Sequence, residues 1–203
     1  MALMQTLLRE SREADEPLQF QQFTHETAEA LDLSELECRE VSFQACRFTD
    51  CDFGSAAFYG CAFEDCQFAR CRFPVSFWKD CRLLRCKGDG ADFRKSRFKG
   101  CTLDGMLLRY VNLTGSVWER CTVANSNLTE AAIPGARILK TTFDKVDFTG
   151  AELFRTGLKG IDLSSCTLDR IALSETCAEL KGARIDASQA PVVARILGIE
   201  VLG

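Results

Sequence analysis

Residues 41–73, VSFQACRFTDCDFGSAAFYGCAFEDCQFARCRF, carry phenylalanine at every fifth position. The frame continues beyond them, and from residue 43 to residue 173 only Gly88 in this series is not large and apolar. An α-helix turns through about 500° in five residues, so apolar residues at this spacing would spread around its surface. On a straight strand the odd spacing would send successive side chains to opposite faces. A chain that bends once per repeat keeps them all inward, so the sequence predicts a solenoid.

Two other positions of each repeat have a consistent chemistry. We call the large apolar residue the centre, and the residue two before it, the small position, is mostly Cys, Ala, Ser, Thr or Val. The corner position, two after the centre, often holds glycine, which tolerates the left-handed backbone angles of a turn. Cysteines recur at intervals of twenty residues, as at Cys61, Cys81 and Cys101, so we predict four repeats per coil.

The 12 cysteines suit three roles when composition alone is considered: a disulfide framework, a zinc site, or small apolar core residues. Ten of them occupy the small position: Cys46, Cys51, Cys61, Cys66, Cys71, Cys81, Cys86, Cys101, Cys121 and Cys166. Stacked thiols that point the same way do not converge on a zinc ion, and the spacing between coils exceeds the Cβ separation of a disulfide. The frame therefore favours core packing, with no metal and no cofactor.

Composition also limits the compartment and the chemistry. No run of about 18 apolar residues is present, so a membrane span is not expected. The N-terminal stretch lacks the basic region of a secretory signal, and many buried free thiols suit a reducing compartment, so we expect a cytoplasmic protein. The one histidine, His25, lies at the weak start of the repeat and is expected to be an exposed surface residue, so an enzyme is not predicted.

The two ends of the chain depart from the repeat. We divide the sequence into an N-terminal cap segment (1–30), the repeats (31–185) and a C-terminal tail (186–203). Apolar residues at helical spacing, Leu3, Met4, Leu7 and Leu8, predict a short helix over residues 3–14. In the tail, Ser188 is the predicted N-cap of a helix over residues 189–197, Gly198 its stop, and IEVL (199–202) a strand.

The tail is too apolar to lie exposed. Its apolar residues are Val192, Val193, Ile196, Leu197, Ile199, Val201 and Leu202. A monomeric end cap is one explanation, and a twofold dimer contact is the favoured one.

The repeat small–x–Leu/Phe–x–x, as in ACRFTDCDFGS (45–55) and DFTGAELFR (147–155), resembles the pentapeptide-repeat family. That resemblance implies an all-β fold, a right-handed quadrilateral β-helix. The segment CKGDGADFRKSRF (86–98) resembles part of the Qnr-type quinolone-resistance proteins, and residues 179–203 are similar to their C-terminal dimerisation segment. Related tails end the mycobacterial MfpA type and the immunity proteins of organisms that make gyrase-poisoning peptides.

The resemblance implies a function as well as a fold. These proteins are dimeric rods that engage DNA gyrase, and often topoisomerase IV, by mimicking the shape and charge of duplex DNA. They relieve poisoning by quinolones or similar toxins, and they have no catalytic residues and no cofactor. A scaffold of the same fold that binds another protein partner is the alternative.

Outward-facing charges test the idea of mimicry. Residues 1–40 carry 3 Lys or Arg and 10 Asp or Glu, and residues 41–203 carry 22 and 19. One side of the predicted coil, centred on 43, 63 and so on to 163, holds the candidate partner-binding acids Glu64, Asp65, Asp104, Asp144 and Asp162. The side centred on 58 to 158 is basic, and because it lacks an interleaved aromatic pattern, direct nucleic-acid binding is not expected. An ordinary solvated surface is the alternative explanation for both sets.

Overall fold

The protein is a parallel β-solenoid preceded by one helix, as described by a computed structural model of residues 3–202. Residues 1 and 2 of the predicted cap segment and residue 203 of the predicted tail lie outside this range. Helix α1 (Leu3–Ala14) buries Met4 and Leu8 against the first coil. The strands are β1 (Leu18–Gln19), β2 (Gln22–Thr24), β3 (Thr27–Glu29), β4 (Glu37–Arg39), β5 (Ser42–Gln44), β6 (Arg47–Thr49), β7 (Ala57–Tyr59), β8 (Ala62–Glu64), β9 (Gln67–Ala69), β10 (Phe77–Lys79), β11 (Arg82–Leu84), β12 (Arg97–Lys99), β13 (Thr102–Asp104), β14 (Val117–Glu119), β15 (Thr122–Ala124), β16 (Arg137–Leu139) and β17 (Thr142–Asp144).

These strands stack into the sides of a four-sided coil. Face A consists of β1, β4, β7, β10, β12, β14 and β16, and face B of β2, β5, β8, β11, β13, β15 and β17. Face C begins with β3, β6 and β9 and continues as single bridges, and face D consists of single bridges alone. Neighbouring strands on a face are parallel, and each residue pairs with the one twenty positions away, as Phe58 does with Trp78 and Trp78 with Phe98. The predicted coil of four repeats is therefore confirmed.

A left-handed residue makes each corner. Every fifth residue from Phe20 to Gly160 has φ between 47° and 81°, whether or not it is glycine. The amides of most corners then bond the next coil, as Ala45 N–H does to the carbonyl of Glu64 at 2.8 Å and Gly60 N–H to that of Lys79 at 2.9 Å. The bend is thus supported by the backbone of the neighbouring coil, and glycine at the corner is favourable but not required.

The core consists of stacked columns of like side chains. In the N-terminal half, rings stack face to face, with centroids 4.7 Å apart for Phe53 and Phe73 and 4.3 Å apart for Phe98 and Trp118. Such pairs add to the stability supplied by burial alone. From Leu103 onward the centres are mostly aliphatic and leave an apolar void of about 20 Å³ on the axis.

Polar side chains cap the C-terminal end of the coil. Short helix α2 (Ala190–Ile196) follows a single 3₁₀ turn, and the side chain of Gln189 donates to the carbonyls of Leu163 and Cys166 at 2.9 and 2.5 Å. The buried carboxylate of Glu179 accepts the amide of Arg155 at 2.9 Å. These bonds replace the partners that another coil would have supplied.

Four sequence-based expectations at the ends need correction. Strands begin at Leu18 inside the segment assigned to the cap, because Leu18, Phe23 and Ala28 are buried centres of the same frame. Leu3 is 61% exposed, although α1 forms as predicted. The cap of the tail helix is Asp186, whose carboxylate accepts the amide of Ser188 at 2.8 Å. Residues 199–202 form no strand within the chain, and the amide of Ile199 instead donates to the carbonyl of Ala194 at 2.9 Å, at the end of α2.

The corner at Val75 offers a test of the bend. Val75 has φ 62° and is 56% exposed, and a β-branched residue in this conformation costs about 1–2 kcal/mol. We expect Val75→Gly to raise the free energy of unfolding by about 1 kcal/mol, measured by urea denaturation. Val117→Gly is the control, because Val117 lies in strand β14 and its replacement should lower stability by about 0.5–1 kcal/mol. A loss of stability in both variants would contradict the strain.

Candidate partner-binding surfaces

The cysteines of the described chain lie almost entirely in the core. Eleven cysteines are buried, Cys177 is half-buried, and all of them are free thiols. Thiols at the small position donate to backbone carbonyls, as Cys66 Sγ does to Phe43 O at 3.3 Å. Burial raises the pKa of Cys38 and of Cys166. A protonated, enclosed thiol is neither a nucleophile nor a metal ligand.

The outer surface carries no recognisable catalytic or metal site either. Among residues 3–202, no group of three or more His, Cys, Asp or Glu side chains is placed to hold a metal ion. His25 lies exposed on a corner with φ 57°. The same residues include no helix that is long and apolar enough to cross a membrane.

Face B carries all five predicted acidic residues, but the structure separates them into two groups. Arg85 pairs with both Glu64 and Asp65, at 2.9 Å to Asp65 Oδ1, and this hydrogen-bonded pair holds the pKa of Asp65 below its usual value. Asp162 accepts from Ser164 at 2.7 Å and from Arg184 at 3.2 Å. Asp104 accepts only the amide of Asn125, at 2.8 Å, and Asp144 is exposed with no cation within 4 Å in the described chain. Only two of the five thus keep an uncompensated charge.

Pairing between coils neutralises acids elsewhere on the rod as well. Arginines bond carboxylates twenty residues earlier in the chain: Arg70 with Asp50, Arg72 with Asp52, Arg85 with Asp65 and Arg109 with Asp89. Because one coil contains twenty residues, these pairs lie directly next to each other on adjacent layers. Sequence reasoning missed this network, although the twenty-residue offset of opposite charges was visible and predicts it once the coil length is known.

Face A has the opposite character. From β10 onward it presents Lys79, Arg97, Lys99, Arg120, Arg137, Lys140 and Lys159. Of these, Arg120 has a carboxylate partner, Glu119 at 3.2 Å, and the others form no ion pair with any described residue. The rod therefore has an acidic N-terminal end and a basic stripe along the C-terminal half of one face.

The tail residues predicted for a dimer contact also fall into two groups. Ile196 packs against the core, and Val192 and Val193 are half-buried beside it. Leu197, Ile199, Val201 and Leu202 remain 48%, 54%, 42% and 84% exposed. These four are therefore the predicted dimer-contact residues that the described chain leaves exposed.

Comparisons of sequence with known families agree with the repeat. A family model described as a pentapeptide repeat region matches residues 56–133, and one described as pentapeptide repeats in eight copies matches residues 37–73. No curated protein sequence matches the chain.

A solved structure has the same architecture. A trypsin-treated form of QnrB1, a plasmid-mediated fluoroquinolone resistance protein, is 22% identical with a TM-score of 0.59, over 92% of this chain and 100% of that one. HetL, a pentapeptide repeat protein involved in heterocyst differentiation regulation in the cyanobacterium Nostoc sp. strain PCC 7120, is 19% identical with a TM-score of 0.41, over 82% of this chain and 86% of that one. At this identity the likeness to QnrB1 concerns the fold.

Thiol chemistry tests the closed core. We expect a thiol reagent at neutral pH to modify at most one cysteine of the native protein quickly, because Cys177 alone is part-exposed, and all twelve after unfolding in urea. Ellman's reagent, followed by mass spectrometry, gives both counts. Rapid reaction of several cysteines in the folded protein would contradict the buried columns.

Proposed function

We propose that this chain, a pentapeptide-repeat protein, is a non-enzymatic rod that binds DNA gyrase or topoisomerase IV and protects the enzyme from quinolones or peptide poisons. The observation that carries the proposal is the placement of unpaired acids on a rigid coil whose layers repeat every twenty residues. An enzyme that holds duplex DNA presents positive charge to it, so a rod with ordered negative charge can compete for that surface. Pentapeptide-repeat proteins are generally non-enzymatic scaffolds, and the shared fold with QnrB1 supports the same reading.

The proposed contact combines two regions. One is the acidic N-terminal end, where Glu29, Glu35 and Glu40 are exposed and have no cation within 4 Å in the described chain. The other is the pair Asp104 and Asp144 on face B, whose carboxylates remain uncompensated. Glu64, Asp65 and Asp162 are assigned a smaller part in binding, because Arg85 and Arg184 already cancel their charge.

A supercoiling assay tests both the function and the surface. We expect the purified protein to restore gyrase supercoiling in the presence of ciprofloxacin, and Asp104→Lys with Asp144→Lys to lose most of that effect by placing repulsion at the contact. Glu130→Lys with Asp169→Lys is the matched control, because it changes the net charge equally on face C, where both residues are exposed.

The assay distinguishes failure of topoisomerase binding from failure of the face B contact. Neither rescue nor inhibition at micromolar protein would reject topoisomerase binding. Equal loss of rescue in the face B and face C variants would reject face B as the contact while leaving the function in place.

A scaffold for a different protein is the second candidate, and the basic stripe of face A favours it. Six unpaired cations on one face suit an acidic partner surface. A captured partner that is not a topoisomerase, and that binds the Lys79→Glu, Lys99→Glu variant more weakly than the parent, would support this function. The eleven buried free thiols support a reducing, cytoplasmic location for either function.

We also propose a homodimer formed through the exposed part of the tail. Leu202→Asp should convert a dimer to a monomer in size-exclusion chromatography with light scattering, because Leu202 is 84% exposed and an aspartate there leaves the fold intact. Ile196→Asp is a poorer probe, since Ile196 packs on the core. Leu3→Asp, at an exposed leucine on α1, is the control and should leave the mass unchanged. A monomeric parent protein would reject the dimer.

A further inference from the structure

The longest interruption of the backbone ladder lies between two coils near the C-terminal end of the solenoid. Between the coil of residues 137–145 and the coil of residues 157–165, the regular pattern calls for bonds from Ile138 N–H to Gly157 O, Lys140 N–H to Lys159 O, Phe143 N–H to Asp162 O, Gly157 N–H to Ala136 O and Asp162 N–H to Thr141 O. None of these forms, and Lys145 N–H turns instead to the side chain of Ser165 at 3.1 Å. On faces C and D the same two coils stay paired, through Asp147 with Thr167 and Glu152 with Ala172. The coils therefore part on faces A and B only.

This parting opens a groove that runs around the corner between faces A and B. We call it the inter-coil groove, with residues 137–144 on one wall and 157–164 on the other. Ile138 and Phe143 are the only centres from Leu18 to Leu173 that are not fully buried, and both lie on its floor. Lys140 and Lys159 flank its face A end. Both walls present unbonded amides and carbonyls, the edge that an extended strand satisfies.

The break coincides with a change of side chain at the small position. The small position above Thr141 is filled by Ile161, in a column that holds cysteine from Cys61 to Cys121. An isoleucine offers no hydroxyl to the layer below, whereas Thr141 itself accepts the amide of Cys121 at 3.3 Å. The coil of residues 157–165 bonds instead to the terminal segment, through Leu158 N–H to Glu179 O, Gly160 N–H to Gly182 O and Leu163 N–H to Arg184 O, each at 2.8 Å.

One segment of the same chain carries side chains that complement those lining the groove. Residues 199–202 have no strand partner, and in an extended conformation Ile199 and Val201 lie on one side and Glu200 on the other. The apolar side matches the half-buried Ile138 and Phe143, and the carboxylate matches Lys140 and Lys159. We propose that residues 199–202 of a second copy enter the inter-coil groove as an added β-strand. This deepens the homodimer of the proposed function by naming the site that receives the tail.

The distances and the symmetry allow the exchange. Only two layers, about 10 Å at ~4.8 Å each, separate the groove from the C-terminal end of the rod. Residues 197–202 span about 20 Å when extended, so the tail of a copy docked end to end reaches it. In a twofold dimer each copy gives one tail and receives the other, so both grooves are filled.

Charge reversal on the full-length protein tests this contact. Glu200→Lys alone, and Lys140→Glu with Lys159→Glu alone, should each raise the dimer Kd about tenfold or more, because like charges then meet in both contacts of the homodimer. An equimolar mixture of the two variants should dimerise about as tightly as the parent, since every tail then meets a groove of opposite charge. Lys79→Glu with Lys99→Glu, on face A but outside the groove, is the matched control and should leave the Kd unchanged. Analytical ultracentrifugation gives each Kd, and circular dichroism verifies that each variant is folded.

Hydrogen exchange provides a second readout. In the parent protein, the unbonded wall amides of Ile138, Lys140, Phe143, Gly157 and Asp162 should lose protection together with those of residues 200–202 when the dimer is diluted. Protection that does not depend on concentration would place the chain's own tail in the groove and overturn the proposal. Unchanged Kd values in the variants, or a mixture that fails to recover, would also overturn it while leaving a tail dimer and topoisomerase binding intact. A parent that is monomeric at all concentrations would reject both the groove contact and the dimer, and the supercoiling assay scores topoisomerase binding separately.

Discussion

The hydrogen bond between a left-handed corner and the next coil is the constraint on which the whole structure depends. A corner residue such as Ala45 turns the chain and donates its amide to a carbonyl one coil away. Because that bond uses only backbone atoms, it forms whether the corner carries glycine or a larger side chain, and where it forms it holds the register at twenty residues. Every other feature follows from the register: stacked rings, columns of thiols, and a closed core without room for a ligand.

The same register determines the electrostatics of the surface. Residues twenty apart become neighbours on adjacent layers, so an aspartate and an arginine at that offset cancel each other. Glu64 and Asp65 show the effect, since both face outward and both are held by Arg85. Asp104 and Asp144 lie on the same face and escape it, which concentrates the charge available to a partner. Counting acids along a face therefore overstates the charge of a stacked coil.

The inter-coil groove shows what happens where the constraint fails. Ile161 places a bulky apolar side chain in the column that holds thiols and a threonine from Cys61 to Thr141. The coil of residues 157–165 bonds to the irregular terminal segment instead of to the coil before it. Two faces separate while the other two hold. The result is an open strand edge near the tail, in a protein that otherwise leaves its edges only at its ends.

Sequence alone determined the repeat of five, the inward centres, the coil of twenty residues and the burial of the cysteines, because each of these is a local period that recurs many times. It also indicated α1 and an apolar tail. Tertiary structure decided that the coil begins at Leu18, that Ile196 packs inward while Leu202 stays exposed, and that one pair of coils separates. Those features depend on which atoms meet across layers and at the ends, which a local period of five residues does not specify.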